Sequence, residues 1–332
     1  MDHEKIVVIG SNSFSGSSFV RYLLCKGHEV LGFSRSQEPE EVFLPYTWLK
    51  ERLDRFHFEK ADLNRDLEKI VEILTQEKPS CIVNFAALGM VAESWKKPED
   101  WYQTNVLAQV KFHELLRKLK FIKKYVHVTT PEVYGNMDGW IAESFNFSPS
   151  TPYAVSRASC DLHLKSFFEA YNFPVVFTRA ANVYGPGQQL YRIIPRTILY
   201  ARLGKKLPLH GSGESERSFI YIDDVADATY RIIFGGTEGQ TYHISTQETI
   251  SIRDLVMKIC RLIKVEFTDL VEESEERLGK DQSYKLSTNK IHRELGWQDT
   301  VNLEQGITST IKWVDSNLDI LKNMPHEYIH KA

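Results

Sequence analysis

At 332 residues the chain is long enough to bury a substantial core without disulfides or metals, as one large domain or two closely joined ones. Its 41 basic and 44 acidic side chains leave a formal net charge of -3, which excludes a strong field for nucleic acid or an anionic membrane surface, so any anionic ligand must be caught by local basic residues. Cys25, Cys81, Cys160 and Cys260 form no CxxC pair or His cluster, which argues against zinc and a disulfide framework, and the amino terminus carries no signal-like or membrane-spanning apolar run; the expectation is a metal-free protein of the reducing cytoplasm.

The first predicted strand, 6–9, ends in Gly10-Ser11-Asn12-Ser13-Phe14-Ser15-Gly16 and leads into a helix over 15–26. A glycine- and serine-rich turn between a strand and a helix amino terminus is where a pyrophosphate can sit. Strands follow at 29–33, 81–85, 125–129 and 175–178, and helical spacing of apolar residues at 67–77, 101–119 and 153–171. This alternation predicts an α/β protein with a Rossmann-type, doubly wound parallel sheet covered by helices on both faces. Beyond Asn182 the pattern loosens into Gly- and Pro-rich loops, with a helix near 194–203, a turn at 211–213 and a strand-helix unit over 217–234. The reading assigns 1–178 with 214–240 to a dinucleotide-binding domain, and 179–213 with 241–332 to a smaller α+β substrate lobe. A ligand cleft is expected between them.

Along this scaffold the second strand ends in Ser34-Arg35, about 20 residues past the glycine turn, where a dinucleotide's adenosine ribose is contacted. A hydroxyl and a cation there suit a 2′-phosphate, so between NAD and NADP the reading leans to NADP; the alternative for Arg35 is a solvated charge. Tyr153 and Arg157 stand four apart on one helical face that starts at Pro152, and some 20 residues upstream lies the strand end His127-Val128-Thr129-Thr130-Pro131-Glu132.

These motifs together resemble the extended short-chain dehydrogenases, and within them the nucleotide-sugar epimerases and dehydratases, closest to the dTDP-glucose and GDP-mannose 4,6-dehydratases. The glycine turn resembles their GxxGxxG, with Ser13 at the middle glycine; Ser13 must either be tolerated near the phosphates or serve as an extra donor. The resemblance assigns Gly10, Asn12, Ser13, Phe14, Ser15, Gly16, Ser34, Arg35, Asp62, Leu63, Ala86 and Ala87 to the cofactor, together with Tyr153 and Arg157. Tyr153-x-x-x-Arg157 resembles YxxxK, in which the tyrosine takes the proton of a sugar hydroxyl while the cation lowers its pKa from about 10. Arginine at the lysine position is not a conservative change. Thr130-Pro131-Glu132 resembles the dehydratases' Thr-Asp-Glu, implying that Thr130 binds the hydroxyl being oxidised and Glu132 removes the carbon-5 proton; Pro131 replaces the aspartate that helps the carbon-6 hydroxyl leave. The mannose dehydratases share a Thr-x-Glu form, as do UDP-glucuronate decarboxylases.

Arg179 to Gly187 resembles the family's R-x-x-N-x-YGP segment, and Asn182, Arg192, Arg217 and Arg277 fall at its substrate-gripping positions. Arginine forks suit diphosphate oxygens. The expected partner is a nucleotide-diphosphate sugar, the expected activity oxidation at carbon 4 followed by loss of water. The alternatives are a decarboxylase, a 4-epimerase, a net 4-dehydrogenase, or a non-catalytic sensor, the last suggested by the departures at Ser13, Pro131 and Arg157. Surplus apolar residues on the helices 101–119 and 153–171 predict a homodimer.

Overall fold

The computed structural model describes residues 4–137, 139–274 and 285–330. Five strands, Lys5–Ile9 (β1), Glu29–Ser34 (β2), Phe56–Lys60 (β3), Cys81–Asn84 (β4) and Lys124–Thr129 (β5), join Val175–Ala180 and Thr241–Ile244 in one seven-stranded sheet. Its order runs from Thr241–Ile244 through Val175–Ala180, β5, β4, β1 and β2 to β3, and every pairing is parallel. The strand order reverses between β1 and β4. Doubly wound sheets bind ligands at the carboxyl ends of the strands beside such a switch.

The sequence of β1 explains its place at the centre. Ile6, Val7, Val8 and Ile9 are at most 2% exposed, the unbroken apolar run of a strand covered on both faces. Alternation along the strand divides them: Ile6 and Val8 pack with Phe19, Val20, Leu23 and Leu24 of helix Phe14–Cys25, while Val7 and Ile9 pack with Ile70, Leu74, Phe112 and Leu164 from the opposite layer. A third core, built on helices Ile193–Leu203, Ile252–Ile263 and Leu303–Ser316 around Ile198, Leu255, Ile259 and Trp313, forms the carboxy-terminal layer. Among the described residues no helix is long and apolar enough to cross a membrane.

Three expectations need correction. Thr241–Ile244, assigned from sequence to the smaller lobe, is the edge strand of the main sheet, so that sheet extends past residue 240. β3 was missed because it is the opposite edge strand: His57 and Lys60 face solvent and no apolar run marks it. The helix expected over 101–119 is three pieces, Pro98–Tyr102, a π-helical stretch Gln103–Ala108, and Gln109–Leu116.

A layer of buried polar residues lies within the sheet and the helix Pro152–Tyr171. Asp161 and Arg179 pair at 2.9 Å with both side chains fully buried, and Arg179 also donates to the Tyr134 hydroxyl at 2.6 Å. His243, whose Nε2 lies 2.8 Å from that hydroxyl, is pushed down to about 3, chiefly by burial and then by the Arg179 charge. A histidine neutral when folded, and titrating near 6.5 when unfolded, adds stability above about pH 6.5 that is lost as pH falls towards 3. His243→Asn is therefore expected to flatten the acid limb of the unfolding free energy by about 1.4 kcal/mol per pH unit in that window, measured by urea denaturation at stepped pH.

Candidate active site

The turn after β1 is fixed by contacts that exclude larger residues. Gly10 has φ +82°, and a Cβ there would lie 2.9 Å from the backbone nitrogen of Ala86; one on Gly16 would lie 2.1 Å from the Gly10 carbonyl oxygen. Ser13 caps the helix: its hydroxyl donates to the Gly10 carbonyl at 2.7 Å and accepts from the Gly16 amide at 3.1 Å. Of the two roles left open for Ser13, this bond supports tolerance within the turn, since the hydroxyl proton goes to the Gly10 carbonyl. Phe14 and Ser15 hold the first two helical positions, whose N–H groups have no partner within a helix, and both line the cavity below. Ser34 braces the turn, its hydroxyl accepting from the Asn12 amide at 3.0 Å, while the Asn12 side chain donates to the Ser36 carbonyl. Arg35 faces the same cavity. Asp62 caps its own turn by accepting from the Asn64 amide at 2.9 Å, with Leu63 buried beside it. Ala86 is held from both sides, its amide by Asn84 and its carbonyl by Gln109, and Ala87 lines the cavity.

The second group forms at the end of β5. Thr130 caps a short helical turn, Pro131–Tyr134, with Pro131 at its first position, where a missing N–H costs nothing. Tyr153 opens the long helix Pro152–Tyr171, capped by Thr151, and its amide donates to Ser94 at 3.2 Å. Burial pushes the Tyr153 phenol above its ordinary value and the Glu132 charge pushes the same way; the Arg157 cation, the Thr130 hydroxyl and Arg192 pull it down. The net direction is upward, so the cation's lowering effect is present but outweighed in the protein alone. Arg157 is 2% exposed, and its Nη2 donates to the Val128 carbonyl and sits 3.4 Å from His127 Nε2. Its Nε and Nη1 are buried without a hydrogen-bond partner among the described residues.

Ser13, Phe14, Ser15, Arg35 and Ala87 meet Thr130, Glu132, Tyr153 and Arg157 in one cavity of about 800 Å³, to which the carboxy-terminal layer contributes Asn182, Arg192 and Arg217; Gly10, Asn12, Gly16, Ser34, Asp62, Leu63 and Ala86 stand behind its wall. Asn182 is steadied by the Ser218 carbonyl at 3.2 Å, Arg192 stands exposed before helix Ile193–Leu203 with its guanidinium 5.4 Å from the Tyr191 ring, and Arg217 donates to the Glu216 carbonyl. Arg277 lies outside the described residues. Among the described residues five arginines line the cavity, Arg35, Arg157, Arg192, Arg196 and Arg217, against one carboxylate, Glu132.

With this geometry in view, the comparisons with known proteins are decisive. The sequence pattern of the GDP-mannose 4,6-dehydratase family matches residues 7–310. The chain belongs to that family. It is 30% identical to the dTDP-glucose 4,6-dehydratase of Haemophilus influenzae, over 93% of this chain and 97% of that one, and 30% identical to an Escherichia coli dTDP-glucose 4,6-dehydratase over 94% of each. Among solved structures it resembles DesIV, a dTDP-glucose 4,6-dehydratase from Streptomyces venezuelae with NAD bound (TM-score 0.88, 28% identity, 95% of this chain and 98% of that one). It also resembles the Bacillus anthracis dTDP-glucose 4,6-dehydratase in complex with NAD (TM-score 0.86, 28% identity, 96% and 99%).

The residues present fit the dinucleotide that those relatives hold. The turn at Gly10 admits no side chain, the helix start offers N–H groups, and Arg157 and Arg35 bring cations to the wall of the same cavity. Sequence reasoning missed several positioning residues of this family member. Asn105, fully buried in the π-helical stretch, bonds both the amide and the carbonyl of Leu88 and donates to Ser156, which locks the loop after β4 onto the tyrosine helix. Gln188, Arg196 and Tyr328 also line the cavity. The sequence reading saw no histidine cluster, yet His113, His127 and Cys160 bring potential ligand atoms within 4.8 Å of one another from three separate elements. The Arg157 guanidinium beside His127 sets a fixed positive charge against any cation there. Because the Glu132 and Arg157 charges act on Tyr153 in opposite senses, Glu132→Gln is expected to move the pH profile of first-turnover nicotinamide reduction to lower pH and Arg157→Ala to higher pH, each by about one unit. Stopped-flow rates across pH check both signs.

Proposed function

We propose that the chain is an NDP-hexose 4,6-dehydratase, oxidising a nucleotide sugar at carbon 4 and then eliminating water across carbons 5 and 6. The observation that carries this is the meeting of Thr130, Glu132, Tyr153 and Arg157 in one arginine-rich cavity. Tyr153 accepts the proton of the carbon-4 hydroxyl at its phenol oxygen, Thr130 orients that hydroxyl, and Arg157 holds the ribose beside the reacting ring and moderates the phenol. A bound nicotinamide supplies the hydride acceptor for carbon 4 and the hydride donor for carbon 6. The carbon-4 ketone acidifies carbon 5. Glu132 takes the carbon-5 proton and gives it to the departing carbon-6 hydroxyl, which leaves as water; Pro131 can transfer no proton, so one carboxyl group serves both transfers. When carbon 6 regains hydride, Glu132 delivers to carbon 5 a proton taken up from solvent, which balances the one Tyr153 releases. Asn182, Arg192 and Arg277 of the smaller lobe, with Arg217 from the 214–240 segment of the dinucleotide-binding domain, grip the diphosphate and sugar.

The turn Gly10, Asn12, Ser13, Phe14, Ser15 and Gly16, with Ser34, Arg35, Asp62, Leu63, Ala86 and Ala87, holds the dinucleotide. The Ser34 hydroxyl accepts from the Asn12 amide, which leaves Arg35 to decide the cofactor, and a cation in the cavity wall at the end of β2 favours a 2′-phosphate and so NADP. Mass spectrometry of the protein incubated with NAD or NADP and a panel of UDP-, dTDP-, GDP- and CDP-sugars tests the whole reading. Loss of one water from one sugar nucleotide is expected, abolished by Glu132→Gln, and Arg35→Ala should weaken NADP about tenfold while sparing NAD. Loss of carbon dioxide or of two hydrogens would make it a decarboxylase or a net dehydrogenase, and no change with any sugar would overturn the dehydratase.

The enzyme works as a cytoplasmic homodimer in this reading, supported by four free cysteines and by Leu107, Leu162 and Tyr171, 45 to 54% exposed on the helical layer beside the site. Sedimentation equilibrium is expected to give twice the chain mass, and Leu162→Glu the single chain.

A further inference from the structure

Residues 324–330 cross the molecule as an extended segment. Met324, His326, Tyr328 and His330 are partly covered while Pro325, Glu327 and Ile329 are exposed, the two-residue alternation of a strand lying on a surface. The covered face is held along its length. His326 Nδ1 is 3.4 Å from Lys205 Nζ and its ring 5.8 Å from that of Tyr200; Tyr328 meets Tyr191 edge-on at 5.4 Å. His330 then stacks on Trp101 at 5.0 Å with an interplanar angle of 10°, and its Nε2 lies 2.8 Å from Asp100 Oδ2. Tyr200 and Lys205 belong to the carboxy-terminal layer, whereas Asp100 and Trp101 sit on helix Pro98–Tyr102, which packs on the tyrosine helix of the Rossmann side. The segment therefore bridges the two sides of the cleft.

Between its two anchorages Tyr328 lines the cavity, together with Ser13, Phe14, Ser15 and Arg35. Its phenol feels the charges of Arg35 from one wall and of Arg192 from the other. We propose that residues 324–330 form a strap in which Tyr328 contacts the bound dinucleotide and His330 pins the strap across the cleft, so that the strap governs how fast the dinucleotide leaves. The inference rests on the dinucleotide-binding part of the function proposed above. The dinucleotide is the ligand concerned because the residues sharing the cavity wall with Tyr328 include the helix start after β1 and Arg35 at the end of β2. A phenol ring suits this edge, with an apolar face for a base or ribose and a hydroxyl for the wet side.

The test uses the full chain, Tyr328→Ala, Tyr328→Phe, His330→Ala, and a chain ending at Met324, each loaded with NADPH or NADH and no sugar nucleotide, then chased with an excess of the oxidised dinucleotide while nicotinamide fluorescence is followed. Release about tenfold faster in Tyr328→Ala and His330→Ala, with Tyr328→Phe close to the parent and unfolding temperatures unchanged, is the expected result. If the shortened chain does not fold, the point variants decide. Equal release rates from the parent and both alanine variants overturn the strap alone. A parent that binds neither dinucleotide overturns both the strap and the proposed function. Because no sugar nucleotide is present, a chain that fails as a dehydratase is still judged by these rates.

Discussion

The Asp161 carboxylate lies wholly inside the protein, where burial drives its pKa up and the Arg179 and Arg157 charges are foremost among the influences that draw it back. A charge in so dry a place is tolerated only with its partners closely set, and removal of one partner is far more costly than loss of a surface pair. That constraint positions the site. Asp161 is on the helix that begins with Tyr153 and Arg157, Arg179 is on strand Val175–Ala180, and His127, 3.5 Å from Asp161, is on β5. Arg179 also reaches the Ser144 carbonyl and stacks 4.9 Å from the rings of both Tyr134 and Phe147, which ties down the turn carrying Glu132. The tyrosine and the glutamate thus take their spacing from a shared ionic core below them.

The departures from the family pattern look different once their contacts are known. Ser13 closes the turn that a glycine would leave to the backbone alone. Pro131 occupies a first helical position already capped by Thr130, so its rigid ring reinforces the turn that presents Glu132. Arg157 spends one nitrogen on Val128 and His127, an anchorage that a planar fork can make while the side chain still forms part of the cavity wall. In each case the replacement does structural work at a position the pattern reserves for chemistry, so none of the three by itself argues for a protein that has lost catalysis.

How much of this could be read from sequence depends on how local the signal is. β1 and the glycine turn were legible because short-range periodicity and fixed spacing specify them, whereas Thr130 to Glu132 and Tyr153 with Arg157 were picked out by their resemblance to the family's motifs. Strand Thr241–Ile244 was not, since its burial depends on the distant strand Val175–Ala180 and its His243 reads as polar until Tyr134 is placed beside it. The π-helical stretch escaped because one extra residue per turn leaves the apolar pattern almost intact, yet it is what lets Asn105 reach Leu88. Met324, His326, Tyr328 and His330 do alternate with exposed residues, but histidines at covered positions give no hydrophobic contrast to detect.

The charge balance completes the picture. A chain of net charge -3 sets, among the described residues, five arginines and one carboxylate around a cavity, and those arginines come from β-strand ends, from the tyrosine helix and from the carboxy-terminal layer. Converging, they repel one another, and in the function proposed above a diphosphate relieves that repulsion. Arg192 links this to the chemistry, because its charge also lowers the Tyr153 phenol. A diphosphate that neutralises Arg192 weakens that pull, which leaves Arg157, too deeply buried to be screened by solvent, as the cation on which the tyrosine depends once the substrate is in place.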